Sequence, residues 1–382
     1  MKTVFILGAG FSVEAGAPMQ ESIMEEIFRI YSNNSEKYSE DDFILFKNLL
    51  TEQLCYKESQ FKKIQLEDLF TPLDRCLADN INFRGLSLHE ILKTRQAIFN
   101  IIGTTMRILL EENPNKKNYI DQFADFLVNE SSKRINKKYR TFDPVSVIST
   151  NWDILLDTSI HNVIRHKHSG NAVVDYCCYI SSLDEHDESV KPGLEKLGAG
   201  GFNVKLLKIH GSLNWLQCSR CMRLYAGFDQ KIALRNYETC RHCNKNFHNN
   251  NSVNLLTSNL IMPTFIKDLS NPQYKIIWQN AGIELSEAEK IVFIGYSLPS
   301  ADFEMRQLLS RMVRKEAKIE VVGFNSSDTQ ENRNIMKQKW ADFFGMRDIS
   351  VYLCGAKNYI ETYMNKLTDE SLDSSNTNKV YN

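Results

Sequence analysis

Thr3-Val-Phe-Ile-Leu7 runs straight into Gly8-Ala9-Gly10-Phe11-Ser12, and the reading of this stretch decides the fold. A β-branched and apolar run that stops at a glycine pair is the pattern of a buried parallel strand entering a tight turn. A helix should follow, because Pro18 suits a first turn and Ile23, Ile27 and Tyr31 recur at four-residue spacing, with Glu21, Glu25 and Glu26 on other faces. Such a strand, loop and helix can bring backbone close to a pyrophosphate, which the helix N-terminus then favours. The strict G-x-G-x-x-G spacing is absent, since position 13 is Val and Gly16 arrives late, so a merely structural turn is the competing reading. Lys2, the apolar run and Ala15-Gly16-Ala17 also imitate a secretory signal, but Glu14 and the glycines oppose it.

Outward from this start, strand-like runs return at Val145 to Ser149, Val204 to Ile209, Ile291 to Ile294, Ile319 to Phe324 and Ile349 to Leu353. Strands alternating with helical segments imply an α/β fold with a Rossmann-like parallel sheet. Between residues 20 and 140 the spacing is helical, clearest along Ile91, Ile98, Ile102, Met106 and Leu109, and reads as a large helical insertion. The body then comprises 1–19, 141–211 and 255–365, with a small module at 212–254 and a polar tail at 366–382. The basic run from Lys133 to Arg140 reads as a solvated loop rather than a phosphate contact. No internal repeat is evident.

Composition narrows the class. The 382 residues are 42% hydrophobic and 24% charged, with 46 basic against 47 acidic residues, so no whole-chain field favours nucleic acid or an anionic membrane. Apolar runs such as Val4 to Leu7 fall far short of the roughly 18 to 20 residues that cross a bilayer. Among nine cysteines, Cys218, Cys221, Cys240 and Cys243 form two C-x2-C pairs separated by 18 residues, which is metal-ligand spacing. Four thiolates close a tetrahedron around Zn2+ and leave no open position, so the metal would be structural. His242 and His248 are the alternative ligands. The remaining cysteines are scattered, and a reducing cytoplasm fits them best.

Two polar constellations follow apolar strands: Ser149-Thr150-Asn151-Trp152-Asp153 and His210-Gly211-Ser212-Leu213-Asn214-Trp215. Carboxyl ends of parallel strands are where such sheets hold ligands. Gly295-Tyr296-Ser297-Leu298-Pro299 with Ser300-Ala301-Asp302 makes a second strand, glycine turn and helix start, and Asn325 follows another strand with an amide suited to ribose hydroxyls. In this order the motifs resemble the sirtuin (Sir2-type) family, across residues 1 to about 355. The resemblance implies an NAD+ site between a Rossmann-like domain and a zinc-bearing module, with cleavage of the nicotinamide–ribose bond. It assigns Gly8, Ala9, Gly10, Phe11 and Ser12 to the pyrophosphate, and Ser297 after the Gly295 turn to a phosphate. Asn325 falls to the adenosine ribose, Leu353 to Gly355 to the adenine, Asn151 and Asp153 to the nicotinamide ribose and carboxamide, and His210 to the catalytic base.

The departures matter. The Asp-Phe-Arg segment of deacylases is replaced by Met19-Gln20-Glu21 after Pro18, and their Phe-Gly-Glu peptide segment by Leu260-Ile261-Met262-Pro263-Thr264-Phe265. The Thr-Asn-Trp-Asp and Gly-Tyr-Ser-Leu-Pro forms, with the long insertion, look more like a bacterial branch that hydrolyses NAD+ in anti-phage defence. The size within that branch is similar to the partner of a HerA-type ATPase. The resemblance therefore implies an NAD+ hydrolase acting as a homo-oligomer under control of such an ATPase. A protein deacylase or ADP-ribosyltransferase, and a non-catalytic zinc-ribbon scaffold, are the rival readings.

Overall fold

A computed structural model describes residues 2–111, 114–135, 143–228, 238–247, 254–258, 260–262, 267, 269–345 and 347–362. The tail, residues 136–140 of the basic run, His248 and Pro263 to Phe265 lie outside the described residues. The strands are β1 (Thr3–Leu7), β2 (Val145–Ser149), β3 (Ala172–Asp175), β4 (Ile180–Ser182), β5 (Phe202–Lys208), β6 (Trp215–Cys218), β7 (Leu224–Ala226), β8 (Leu256–Ser258), β9 (Lys290–Ile294), β10 (Lys318–Val322) and β11 (Ile349–Tyr352). Seven of them pair in parallel in the order β11-β10-β9-β1-β2-β5-β3. Every residue of β1 and β2 is buried, so both sheet faces are covered, which is why these strands read as unbroken apolar runs. The fold is α/β, with a Rossmann-like sheet that carries a large helical insertion and a small four-cysteine module.

Register aligns the strand ends. Leu7 of β1 lies opposite Ser149 of β2 and Ile294 of β9, Ser149 lies opposite Lys208 of β5, and Ile294 lies opposite Val322 of β10. On one side of β1 stand β2, β5 and β3, the chain reaching the edge strand β3 before it returns to β5, and on the other stand β9, β10 and β11 in chain order. The reversal falls between β1 and β9, where open α/β sheets bind ligands. The run expected to reach Phe324 leaves the sheet after Val322, and Phe324 keeps only an isolated bridge to Cys354.

The helices are α1 (Ile23–Asn33), α2 (Glu40–Asn48), α3 (Leu66–Asp79), α4 (Leu88–Glu111), α5 (Asn118–Ser132), α6 (Leu155–Lys167), α7 (Gly193–Gly198), α8 (Arg241–Asn246), α9 (Pro272–Glu287), α10 (Phe303–Met312) and α11 (Gln330–Phe344). Helices α5, α6, α9, α10 and α11 supply the main core with the sheet. Helix α9 starts cleanly because Pro272 occupies its first turn and the Asn271 side chain accepts from the Gln273 amide. Helices α1 to α4 build a second, aromatic core around Phe28, Phe43, Phe46, Phe61 and Phe70, and Leu260 and Met262 join it. β4, β7, β6 and β8 form a separate small sheet beside the paired cysteines, whose own core is Leu216, Tyr225 and Leu256 with three of the thiols. None of β3, β4, β6, β7 and β8 stands out in the sequence. Among the described residues no helix is long and apolar enough to cross a membrane.

Candidate functional site

The loops after β1 and β9 are packed backbone against backbone. Gly8 N donates to Ile294 O at 3.1 Å, and Gly10 N donates to Gly295 O at 3.0 Å. A Cβ on Gly8 would sit 2.6 Å from Gly295 O, and one on Gly295 would sit 2.2 Å from Phe11 N, at a φ of +64° that glycine alone adopts freely. The absent side chains thus close a seam at the point of strand reversal. The loop amides are also spent within the chain, since Phe11 N donates to Gly8 O and Ser12 N to Ala9 O. Ala9 is exposed, while Phe11 is buried and its carbonyl accepts from the Tyr119 hydroxyl at 2.6 Å.

Beside this seam, the loop after β2 brings Asn151 to Gly8. The Asn151 Nδ2 donates to Gly8 O at 2.9 Å and approaches Ser12 Oγ at 3.4 Å. Asp153 is buried and accepts from Leu155 N at 3.1 Å. Burial pushes its carboxyl up, against the opposing pull of Lys208 and the Ser12 hydroxyl. Lys208 is itself buried and donates to Asp153 O at 2.6 Å and to Asp157 Oδ2 at 3.0 Å, with the Tyr176 hydroxyl on the other Asp157 oxygen. Ser12, Asn151, Asp153, Asp157 and Lys208 line a cavity of about 10 Å³, room for about one water. A cavity of that size excludes any larger molecule.

His210 follows β5 just as Asn151 follows β2. Each stands two residues beyond a register pair, Ser149 with Lys208, so the two share the carboxyl edge of adjacent strands. The loops are tied together: Leu213 N donates to Trp152 O at 2.9 Å, Trp152 Nε1 to Ile261 O at 3.2 Å, and Ile261 N to His210 O at 3.0 Å. Trp152 packs against the core of the insertion, so it braces this edge. His210 Nε2 faces Asp302 Oδ1 at 3.3 Å; Lys267 Nζ reaches the same oxygen at 3.1 Å, and the Tyr296 hydroxyl donates to Asp302 Oδ2 at 2.9 Å. Burial pushes the Asp302 carboxyl up, but His210, Lys267 and the Tyr296 bond outweigh it and hold the group well below the usual carboxylate range.

Sequence reasoning missed Lys208, Lys267 and Asp302 as members of this cluster. A signal existed for Lys208, a lone charge in the apolar run Leu206-Leu207-Lys208-Ile209, which needs a buried partner. Ser297 and Asn325 stand apart from the cluster. Ser297 is exposed and its carbonyl accepts from Lys339 Nζ at 2.9 Å, while Asn325 Oδ1 accepts from Ser327 N at 3.0 Å within its own turn.

In the small module the four sulfurs of Cys218, Cys221, Cys240 and Cys243 all lie within 4.8 Å of one another. Cys218 and Cys243 are 3.7 Å apart and Cys221 and Cys240 are 3.6 Å apart. The edge of a tetrahedron with Zn–S bonds of about 2.3 Å is about 3.8 Å, so the residues fit a zinc ion. His242 turns instead to the Asn246 side chain at 3.2 Å.

No protein-family profile and no curated protein matches the chain. Its structural neighbours among solved proteins are sirtuins. A structure addressing the structural basis of sirtuin substrate affinity is 13% identical with a TM-score of 0.37, covering 96% of this chain and 93% of that one. Sir2Tm bound to a propionylated peptide is 13% identical with a TM-score of 0.36, at 96% and 92% coverage. A Sir2 complex with a p53 peptide and NAD+ has the same identity, TM-score and coverage, 13%, 0.36, 96% and 92%. Likeness of this order assigns no function, which has to come from the site.

Proposed function

We propose that this chain is an NAD+ hydrolase that cleaves the nicotinamide–ribose bond. The observation that carries the reading is the placement of Asn151 and His210 two residues past one register pair, beside the strand reversal between β1 and β9. In this reading the dinucleotide lies across the seam of Gly8, Ala9, Gly10 and Gly295, with Phe11 and Ser12 beneath it and Ser297 and Asn325 further out toward the adenosine. Asp153 holds the Asn151 loop beside the nicotinamide ribose.

Nicotinamide is a neutral leaving group, so the C1′–N bond breaks with its electron pair going to the pyridine ring, and an oxocarbenium-like ribose develops without a strong general acid. Asn151 positions water, whose oxygen bonds to C1′, and His210 accepts the proton, a contribution of about 10²- to 10⁴-fold. The products are nicotinamide, ADP-ribose and one proton. The dinucleotide is a substrate here, although it occupies a cofactor type of fold.

Zinc on Cys218, Cys221, Cys240 and Cys243 would supply folding free energy and no chemistry. Cys218→Ser or Cys240→Ser is expected to lower the yield of folded protein and its zinc content together, and well-folded protein without zinc would refute the assignment. We place the body at 1–19, 141–211 and 255–365, the insertion at 20–140 and the zinc module at 212–254, with α5 of the insertion packing into the body's core and β4 and β8 of the body completing the module's sheet. Depletion of NAD+ would harm the host cell, so the resemblance to the defence branch is best met by a homo-oligomer restrained or triggered by a HerA-type ATPase in the cytoplasm.

The test is purified protein incubated with NAD+, with and without an acetylated peptide, while nicotinamide is followed. Peptide-independent release that disappears in Asn151→Ala or His210→Ala is the expected result. Release only with peptide would favour a deacylase or transferase, and none in any partner condition would favour a scaffold.

A further inference from the structure

We infer that Asp302 is the positioning residue of His210, a carboxylate delivered from the β9 half of the sheet that fixes which imidazole nitrogen carries the proton. This deepens the proposed hydrolase and rests on His210 being its base. Three observations converge. Asp302 occupies the N-cap of α10, where an aspartate ordinarily accepts a bond from its own helix. Its side chain makes no such bond, and goes to the Tyr296 hydroxyl and the His210 ring instead.

The second observation is burial. His210 Nε2, Asp302 Oδ1 and Lys267 Nζ are all shut away from solvent, and among the described residues none makes a well-angled hydrogen bond, one another included. At ion-pair distance these three groups meet, among the described residues, only one another, apart from the 3.2 Å approach of Lys267 to Glu304. Buried polar groups in that condition call for an explanation, and a catalytic role is one. The third is topology: Asp302 enters from the loop after β9, whereas His210 stands in the loop after β5, so the pair spans the crevice in which the ligand is proposed to lie.

The consequence for the base is specific. A carboxylate facing Nε2 keeps the proton there, and so leaves Nδ1, the nitrogen turned away from it, as the acceptor. At 3.3 Å the contact is long, as catalytic hydrogen bonds commonly are before substrate arrives. Asp302 bears on the ring directly, Lys267 and the neutral Tyr296 hydroxyl bear on it through Asp302, and Glu304 through Lys267; Trp278 adds an uncharged ring 6.3 Å away. Lys267 shares the same Asp302 oxygen, so it competes with the imidazole for the negative charge.

This competition gives opposite signatures to two variants. Asp302→Asn is expected to lower kcat about tenfold or more with KM little changed, and to move the acid limb of the kcat profile to lower pH, because the charged imidazole loses its counter-ion. Lys267→Gln is expected to move the same limb to higher pH. A merely structural role would shift neither limb, or both in one direction, and would overturn the proposal. Imidazole 15N chemical shifts of His210 give a readout that needs no turnover. Wild type should show the proton on Nε2 and Asp302→Asn a mixed population. Identical His210 spectra in the two proteins would sink the positioning role even in an active enzyme. The spectral change in a protein that never releases nicotinamide would uphold the pairing and sink the hydrolase.

Discussion

At the starts of the strands, Lys2 meets Glu284 at 2.9 Å and Glu287 at 2.5 Å, and Lys205 meets Glu284 at 2.6 Å and Asp143 at 2.7 Å. At the strand ends the charged contacts are longer: His210 to Asp302 at 3.3 Å, Lys267 to Asp302 at 3.1 Å and Lys267 to Glu304 at 3.2 Å. Both ends bury charge, and Lys208 pairs with Asp157 at 3.0 Å at the strand ends too, but the cluster of His210, Lys267 and Asp302 beside that pair is looser than the pairs at the starts. Burial pushes the Glu284 carboxyl up, yet Lys205 and Lys2 outweigh it and hold it below its ordinary range. The first end is a close cluster of ion pairs, and under the proposed function the looser cluster at the second is where a ligand would be met.

The sharpest way to break this contrast is to remove one charge from each end. His210→Ala should cost about 10²- to 10⁴-fold in turnover and lower the melting temperature less than Glu284→Gln does, because Asp302 keeps Lys267 and the Tyr296 hydroxyl. Glu284→Gln should do the reverse, costing about 3 kcal/mol of stability as a buried pair is broken, with turnover per folded molecule retained. Denaturant melts read beside nicotinamide release decide it, and equal damage to both quantities in both variants would erase the distinction. A smaller effect is expected at the seam. Gly295→Ala has to place a Cβ 2.2 Å from Phe11 N in a strained conformation, which costs about 1–3 kcal/mol and should weaken NAD+ binding in calorimetry.

The smallest effect is a pH dependence whose sign differs between neighbours. Asp302 and Glu284 are held below their ordinary values, so their stabilisation is present above the unfolded pKa values of about 4 and is lost as pH falls through the folded ones. Asp153 is held above its ordinary value by burial; its contribution is complete below the unfolded pKa and is lost as pH rises through the folded one. Asp153→Asn should therefore melt higher than wild type at neutral pH, with the gap closing on acidification. A gap that widens toward acid would reverse the assignment.

How much of this was legible in the sequence follows from where each partner sits. β1, β2 and β9 were readable because strands covered on both faces are continuously apolar. β3 ends in a buried aspartate, and β6 to β8 are only three or four residues long in and just after the cysteine module, so no periodicity could build up. Asn151 and His210 stood out because each follows an apolar strand. Lys267 and Asp302 did not, because the meaning of either residue depends on a charge that only the fold brings near. Asn325 shows the opposite limit: its amide suits a ribose, but its oxygen is engaged in its own turn.

The most direct measurement is a crystal structure of Asn151→Ala or His210→Ala protein with intact NAD+. The account predicts the dinucleotide across the Gly8–Gly295 seam, its nicotinamide ribose carbon within about 3–4 Å of where water held by position 151 would attack, and His210, where retained, facing that point. Density for the dinucleotide elsewhere, or a ribose beyond the reach of both positions, would contradict it.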